Sequence, residues 1–342
     1  MNLGLSEDQL AIEEAFTRLF VRESPPAVVR AAEPLGFDRS LWDRLVDMGA
    51  PGMGVAAETG GDGATLSDLV VVAEAVGHAI APVPLIEHIV AARAHPVDDV
   101  VEGATIATIS LRPARPDGTW RLVPAGAIAD VVLGVDGDEL VAVRSPAPGE
   151  APRNHAAAPI SDRSARVGER TVLGPAADFA RALSEWKTLT AAALVGISVA
   201  ALQLGRDYAM SRHQFGVPIG SFQAVQHGLA DLPALIDGAR LLTHKAAWSG
   251  DQPAPGICNV DDADITDFDC LAGMAFVFAA ETATRSTDRS LHFHGGYGFS
   301  EEYDIQLYYR RARGWALVFD DPSRECLRLA DGLFGPVAVG AA

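Results

Sequence analysis

The chain has 342 residues, with 27 Lys and Arg against 45 Asp and Glu, which gives a formal net charge of −18. Hydrophobic residues make up 49% of it and charged residues 21%, so it can bury a sizeable core, and disorder as the main state is excluded. The net charge argues against a nucleic-acid or anionic-membrane surface spread over the fold, because phosphates would be repelled. It leaves room for a small basic pocket that binds an anionic ligand.

The three cysteines, Cys258, Cys270 and Cys326, form no CxxC pair and have no histidine at metal-ligand spacing. This pattern predicts neither a disulfide framework nor a structural metal site. The N-terminal segment MNLGLSEDQLAIEEAF carries acids where a signal peptide needs a cation and an apolar core. No uninterrupted run of about 18 apolar residues predicts a membrane span. We therefore expect a cytoplasmic, reducing location.

Residues 1–98 have the pattern of a helical N-terminal domain. Ser6 followed by Gln9 predicts a capping box that starts the first helix. A glycine-rich loop, VAAETGGDGATLSD, then leads to Ser67, a candidate cap for an apolar helix over residues 69–80.

Residues 99–174 change to short β-branched runs separated by Pro, Gly and Asp, such as ATIATISL and ELVAVRS. These runs predict the antiparallel strands of a small middle β-domain. Residues 175–342 return to helical patterns, with Pro233 as a predicted kink inside the second helix. The predicted helices span about 179–212, 223–248, 265–291 and 305–319. The fold class is therefore α+β and mostly α, with a C-terminal antiparallel four-helix bundle.

The segment SRHQFGVPIGSFQAVQHGLAD, residues 211–231, combines a cation, amide side chains and an aromatic ring at a helix–helix corner. Arg212 and the free N–H groups of the following helix suit a dinucleotide pyrophosphate. A capped helical corner with a solvated arginine is the alternative interpretation.

The segment HFHGGYGFSEEYDIQLYYRRAR, residues 292–313, places Gly295 and Gly296 between two helices, where backbone can approach a ligand closely. It is not GxGxxG after a strand, so a Rossmann site is disfavoured. Arginines 310, 311 and 313 are interpreted as a solvated helix face, or as partners of the acids at 301, 302 and 304.

Three segments together resemble the acyl-CoA dehydrogenases, flavoproteins that oxidise acyl-CoA thioesters to the 2,3-enoyl form. They are LWDRLVDMG with VAAETGGDG in residues 41–63, RHQFGVPIGSFQAVQH in 212–227 and HGGYGFSEEYD in 294–304. The α, β, α order is similar to that family's helical domain, middle β-domain and C-terminal four-helix bundle, and the resemblance covers nearly the whole chain.

The resemblance implies an FAD site at a subunit interface, and hence an oligomer. In the family's RxxFG motif the arginine and phenylalanine contact the FAD pyrophosphate and adenine half, bound mainly by a neighbouring subunit. The family's QxxGG loop is present with histidine in place of glutamine. The implied cofactor-binding residues are Arg212, Gln214, Phe215, Gln223, His292, Gly295 and Gly296.

Two parts of the family pattern are missing. The middle domain lacks a loop resembling TEPxAGSD, which holds the flavin ring and thioester, and has ATISLRPARPDG in its place. The helix that precedes this loop in the family is not evident in the sequence between Glu87 and Glu102.

The second missing part is the catalytic base, a carboxylate that takes the α-proton while flavin N5 accepts hydride from the β-carbon. Counting from Arg310, the family's Glu position falls at Phe319, or at Asp320 with one inserted residue. Asp320 is therefore the candidate base, although two adjacent acids before Pro are also typical of an ordinary helix end. Some members place the Glu before the long helix, where this chain has Trp186 with Glu185 beside it.

These features favour a short companion chain of a heteromeric α2β2 enzyme. It would contribute adenine-side FAD contacts while a homologous full-length chain holds the flavin ring, base and acyl-CoA. Similar split subunits act on steroid side-chain CoA thioesters in actinobacteria. The alternatives are a complete homo-oligomeric dehydrogenase with an Asp base, and a non-enzymatic helical scaffold without flavin.

Overall fold

The computed structural model describes residues 4–253, 256–258 and 265–335. The N-terminal part is helical, as predicted, and its first helix begins at the Ser6–Gln9 capping box. Its helices are α1 (Glu7–Glu23), α2 (Pro26–Ala32), α3 (Arg39–Asp47), α4 (Leu66–His78), α5 (Leu85–Ala94) and α6 (Asp98–Val101).

The cap of α4 differs from the prediction. Thr65, not Ser67, is the N-cap, because its hydroxyl accepts from the backbone N–H of Asp68 while the Asp68 carboxylate accepts from the N–H of Thr65. The Ser67 hydroxyl instead donates to Asp251, at 2.6 Å. Asp251 also accepts the backbone N–H of Leu66, so the start of α4 is tied to the C-terminal half of the chain.

Helices α5 and α6 occupy the region between Glu87 and Glu102, where no helix was evident from the sequence. His88 of α5 is completely buried and connects three elements. Its Nδ1 accepts from the backbone N–H of Ala107, so its Nε2–H donates to the carbonyl oxygen of Val100, at 2.9 Å. Its ring also lies edge-on to Trp42, with 5.0 Å between centroids.

The middle part contains two small sheets rather than one antiparallel set. The strands are β1 (Ala107–Ile109), β2 (Thr119–Val123), β3 (Val131–Asp136), β4 (Glu139–Arg144), β5 (Ser161–Ser164) and β6 (Glu169–Pro175). The main sheet has the order β1-β3-β4-β6, and β2 pairs with β5 separately. Pairs β3–β4 and β4–β6 are antiparallel as predicted, but β1 and β3 are parallel. The connection from β1 to β3 passes through β2, which belongs to the other sheet. This crossover lets β3 run in the same direction as β1.

The C-terminal part is helical, and the predicted fold class is confirmed. Helix α7 packs against α9, α10 and α11, and α10 packs against α9 and α11. The elements are α7 (Phe179–Ser211), β7 (His213–Gln214), β8 (Val217–Pro218), α8 (Gln223–Ala230), α9 (Leu232–Gly250), α10 (Phe268–His294), α11 (Ile305–Leu317) and α12 (Pro322–Phe334).

Pro233 does not kink a continuous helix. It lies in the first turn of α9, where its missing N–H costs no hydrogen bond. The domain boundaries at 98 and 174 stay predictions.

A disulfide between Cys258 and Cys270 contradicts the expectation of unpaired cysteines. The two are 12 residues apart in sequence with Cα atoms 6.3 Å apart. Ile257, next to Cys258, is held close to the start of α10, because the backbone N–H groups of residues 266–267 both donate to its carbonyl oxygen. A spacing of 12 residues is not a CxxC pattern, so the sequence did not predict the bond. Cys326 is free and exposed.

Helix α7 is the central core element of the described chain. By length and composition the stretch Ala176–Ser211 could cross a membrane, but 78% of its most apolar window is buried inside the protein. It approaches α4 at two glycines. A Cβ on Gly77 would collide with the carbonyl oxygen of Ala193, and one on Gly196 would collide with that of Glu74. The two helices can therefore cross at backbone contact only because both positions lack side chains.

Replacing Gly77 with alanine tests this contact. We expect Gly77→Ala to lower the free energy of unfolding by about 1–3 kcal/mol, because the backbone clash outweighs the better helix propensity. Gly332→Ala in α12 is the matched control, since its Cβ would meet nothing within 4 Å, and we expect a gain of up to about 1 kcal/mol. Denaturant unfolding of both variants measures this. Equal stabilisation by both would contradict the close crossing.

The buried His88 predicts a pH dependence of stability. Burial lowers the pKa of His88 from 6.5 to about 4, so the folded protein keeps it neutral while the unfolded chain takes up a proton below pH 6.5. The free energy of unfolding should fall by about 1.4 kcal/mol per pH unit between 6.5 and 4, and this loss should level off below pH 4. His88→Gln removes the titrating group and should flatten that slope, whereas His213→Gln on the exposed hairpin should not. Equal slopes in both variants would exclude the assignment.

Candidate functional site

The first predicted motif forms a projecting corner at the end of α7. Arg212 follows the last helical residue with extended backbone, φ −81° and ψ 124°. The chain then makes the short β7–β8 hairpin, whose two turn residues, Phe215 and Gly216, both have positive φ, 54° and 83°. Such a turn suits a two-residue hairpin, and glycine at the second position relieves its strain. Phe215 at the tip is 93% exposed.

The structure brings the second motif against this corner. The guanidinium of Arg212 lies over the ring of Tyr297, 5.5 Å from its centroid. Tyr297 directly follows Gly295 and Gly296, so the arginine and the glycine loop are neighbours in space. Gly295 has a φ of 62°, and a Cβ on either glycine would meet nothing within 4 Å. The glycines therefore border open space rather than packing against this chain.

The other predicted cofactor residues are also on this surface. Gln214 lies in the hairpin and is exposed, and Gln223 begins α8 directly after Phe222. The rings of Phe222 and Phe215 are in edge contact, 6.3 Å apart. His292 is exposed on the last turn of α10, ahead of the glycine loop. The seven residues thus share one exposed end of the bundle, although no contact joins His292 or Gln223 to Arg212.

The electrostatics of the corner suit an anion. No ion pair to Arg212 exists among the residues that the structure describes, unlike Arg206 six residues earlier, whose side chain contacts Asp207 at 2.8 Å. An uncompensated guanidinium on a strongly acidic protein favours phosphate or carboxylate groups. The exposed Phe215 ring and the open glycine loop add a stacking surface and free backbone, so the residues present fit a dinucleotide such as FAD.

Asp320 lacks the environment of a base poised near neutral pH. Its carboxylate accepts the backbone N–H of Asp321, at 2.8 Å, and a bond from Arg324, at 3.2 Å. The backbone N–H of Asp321 and then Arg324 hold the pKa of Asp320 below its usual value, whereas a general base for this chemistry needs a raised one. The two acids mark a helix start, since Asp321 is the N-cap of α12.

Glu185, beside the family's alternative base position, is engaged elsewhere. It is buried, and its two carboxylate oxygens accept from Arg93 at 3.0 and 3.1 Å. Arg181 donates a further bond at 3.1 Å. Trp186 is completely buried and packs on the rings of Phe276 and Phe319, so neither residue offers a free carboxylate.

The arginines of α11 differ from the expected solvated face. Arg311 is 2% exposed and, with Arg310, donates to Glu33, at 3.1 and 2.8 Å. Burial lowers the pKa of Arg311 to about 10. Arg313 lies 3.6 Å from Asp288. The partners are thus Glu33 and Asp288 rather than the acids at 301, 302 and 304, because α2 and α10 face this helix.

Motif reasoning missed Glu87 of α5. Its side chain borders a partly open pocket of about 70 Å³, lined by residues of the N-terminal helices, the β-domain loops and the C-terminal bundle. Trp186 Nε1 donates to its Oε1 at 3.3 Å, and burial raises the pKa of Glu87. The sequence feature that could have indicated Glu87 is a single acidic residue within the apolar segment 85–92. The apolar walls include Ile80, Ile86, Ala125, Trp186, Trp315 and Val318.

Comparison with known proteins supports the resemblance. Residues 6–96 match the model of the acyl-CoA dehydrogenase N-terminal domain, and residues 178–318 match that of the C-terminal domain. The chain is 30% identical to acyl-CoA dehydrogenase IpdE2 of Mycolicibacterium smegmatis, over 96% of this chain and 100% of that protein. It is 31% identical to the protein of the same name from Mycobacterium tuberculosis, over 94% and 96%.

Two solved structures are similar over almost their full length. The Tcur3481–Tcur3483 steroid ACAD G363A variant has a TM-score of 0.81 and 27% identity, and covers 97% of this chain and 98% of that one. The ChsE4–ChsE5 complex from Mycobacterium tuberculosis has a TM-score of 0.82 and 25% identity, with 96% and 98% covered. The chain therefore belongs to the acyl-CoA dehydrogenase family, whose members are FAD-dependent oxidoreductases acting on CH–CH bonds.

Proposed function

We propose that this protein is the companion subunit of a heteromeric acyl-CoA dehydrogenase, binding the pyrophosphate and adenine half of an FAD that a full-length homologous chain also holds. One contrast carries this proposal. Among the residues that the structure describes, the Arg212 guanidinium has no ion pair and the corner is exposed and open, whereas both candidate base positions are unsuited to proton abstraction. A chain that keeps one half of a site and lacks the other is expected where two different subunits complete it.

When bound, FAD supplies the hydride acceptor for desaturation of the acyl chain. Arg212 would pair with the pyrophosphate and Phe215 would stack on the adenine. The backbone at Gly295 and Gly296 would approach the cofactor, with Gln214, Gln223 and His292 as hydrogen-bonding side chains around it. Every one of these groups faces outward, which suits a cofactor held between subunits.

The middle part of the chain also supports a site that is shared between two different subunits. In place of the family's flavin-gripping loop, the segment after β1 directs Arg112 to the carbonyl oxygen of Phe319. This hydrogen bond ties the β-domain to the end of α11, next to Asp320. Phe319 is where the family's Glu position falls without an insertion. Its backbone carbonyl oxygen therefore accepts a hydrogen bond from this chain's own Arg112.

The comparisons support the heteromeric arrangement by analogy. One similar structure is a complex of two named chains, ChsE4 and ChsE5, and another is titled a steroid ACAD. We propose an α2β2 assembly, a steroid side-chain CoA thioester as substrate and a cytoplasmic location. The relatives named IpdE2 are themselves called acyl-CoA dehydrogenases, which keeps a homo-oligomer with Asp320 as base as the second candidate.

Co-expression tests the division between subunits. With a full-length homologue encoded nearby, we expect a yellow hetero-oligomer by absorbance near 450 nm and native mass, and a colourless chain when this protein is expressed alone. The complex should oxidise acyl-CoA, and Asp320→Asn should leave that rate unchanged. A yellow, active homo-oligomer would refute the proposal in favour of the second candidate. A colourless protein in both cases would leave only the flavin-free scaffold.

Arg212→Ala tests the cofactor contact. Losing a charged hydrogen bond should weaken FAD retention by about 1.5–3 kcal/mol, roughly 10- to 150-fold in Kd. Arg212→Lys should fall between, because a lysine cannot form the bidentate pair. Arg206→Ala, an exposed arginine on the same helix, is the control and should bind FAD normally. Flavin fluorescence on dilution of the assembled complex measures Kd, and unchanged retention in Arg212→Ala would reject the contact.

A further inference from the structure

The Cys258–Cys270 bridge lies at the start of α10, away from the proposed cofactor corner. Cys258 is partly exposed, whereas Cys270, in the first turn of α10, is 8% exposed. A small reagent in solution can therefore reach the sulfur of Cys258 more easily than that of Cys270. Bridges that solvent can reach are the ones that exchange with other thiols, whereas fully enclosed bridges resist reduction.

Hydrogen bonds hold the two cysteines together independently of the bridge. The backbone N–H groups of Thr266 and Asp267 donate to the carbonyl oxygen of Ile257, at 2.9 and 3.0 Å. The Thr266 hydroxyl accepts from the N–H of Ile257 at 3.0 Å, and the Asp267 carboxylate accepts from the N–H of Cys270 at 2.9 Å. Cleavage of the S–S bond would thus leave the two thiols near one another, and this proximity favours its re-formation.

The first turn of α10 also anchors α12. Asp269, next to the bridge, accepts from Ser184 Oγ of α7, at 3.0 Å, and from Arg328 Nη1 of α12, at 2.7 Å. Within α12, Glu325 and Leu329 are buried, so the docking of this helix depends strongly on polar contacts. Fraying of the first turn of α10 would remove one of those contacts, and an element with few buried apolar contacts opens easily.

We propose that Cys258 and Cys270 form a reversible thiol–disulfide site that exchanges with a low-molecular-weight disulfide such as oxidised glutathione, and that reduction of this site weakens the hold of α10 on α12. The redox state of the bridge would thus set how firmly the last described helix is docked. This inference does not rest on the companion-subunit proposal, because both cysteines and both helices belong to this chain.

The exchange proceeds in two steps. The Cys258 thiolate attacks one sulfur of oxidised glutathione, so a mixed disulfide forms and one glutathione leaves. The Cys270 thiolate then attacks the Cys258 sulfur, the protein S–S bond forms and the second glutathione leaves. The protein gives up two electrons and two thiol protons, and oxidised glutathione takes up both to become two reduced glutathiones.

A glutathione titration of the full chain tests the exchange. The chain is equilibrated at graded ratios of reduced to oxidised glutathione, free thiols are blocked with iodoacetamide, and peptide mass spectrometry gives the bridged fraction. All samples carry Cys326→Ser, which removes the exposed third thiol. A chelator keeps metal ions from the reduced pair, because the Asp267 carboxylate lies within 4.8 Å of both sulfurs.

We expect a complete and reversible two-electron transition across these ratios. A bridge that persists in excess reduced glutathione, or one that does not form in excess oxidised glutathione, would overturn the inference.

Hydrogen exchange measures the effect on α12. Because the bridge closes a loop with a sequence separation of 12, reduction should speed amide exchange at the start of α10 about 100-fold. Exchange in α12 should rise about tenfold, as for the loss of one charged hydrogen bond. Amides of α7 at its crossing with α4 are the internal control and should be unchanged.

Variants connect the two effects. Asp269→Asn removes the charge that holds Arg328 but keeps the bridge, so α12 should then exchange at similar rates in both redox states. The double variant Cys258→Ser, Cys270→Ser should match the reduced wild type. The comparison of oxidised with reduced wild type needs neither variant, and equal exchange of α12 in those two states would overturn the inference.

Discussion

The backbone contact between α4 and α7 is the constraint on which the arrangement depends. Gly77 and Gly196 let the two helices cross without side chains between them, and this crossing joins the N-terminal helices to the bundle. Helix α7 then runs from Trp186, which packs on the rings of Phe276 and Phe319, to the corner where Arg212 projects. The candidate cofactor surface is therefore positioned by the end of a helix that is held in the core.

Several buried charged groups are paired with an opposite charge. Lys187 and Glu325 are both fully buried and 2.7 Å apart, and Arg328 donates a second bond to the same carboxylate. Although burial opposes it, the bonds from Arg328 and Lys187 keep the pKa of Glu325 below its ordinary value. Removing one member of such a pair costs far more than an exposed pair is worth, because the remaining charge stays buried. Pairing of this kind anchors α12 to the bundle.

Arg212 and Glu87 contrast with these pairs, one at the surface and the other beside a pocket. Arg212 has no carboxylate within the described chain, and it lies at the surface, where an anionic ligand or another subunit can reach it. Glu87 is half-buried, and its carboxylate accepts from the neutral indole N–H of Trp186 at 3.3 Å. The uncompensated charge of Arg212 is the feature on which the proposed shared cofactor site rests.

Local and tertiary information contributed differently to these conclusions. The sequence alone determined the α, β, α order, the capping box at Ser6 and the Arg212 motif, because helix caps, periodicity and short motifs depend on residues within a few positions of one another. Only the tertiary structure decided the parallel β1–β3 pair, the Cys258–Cys270 bridge, the salt bridge of Glu185 and the contact of Glu87 with Trp186. Arg93 is 92 residues from Glu185, and Trp186 is 99 residues from Glu87. Whether such groups meet depends on how the helices pack, and burial then decides whether an acid is a salt-bridge partner, a helix cap or a free carboxyl.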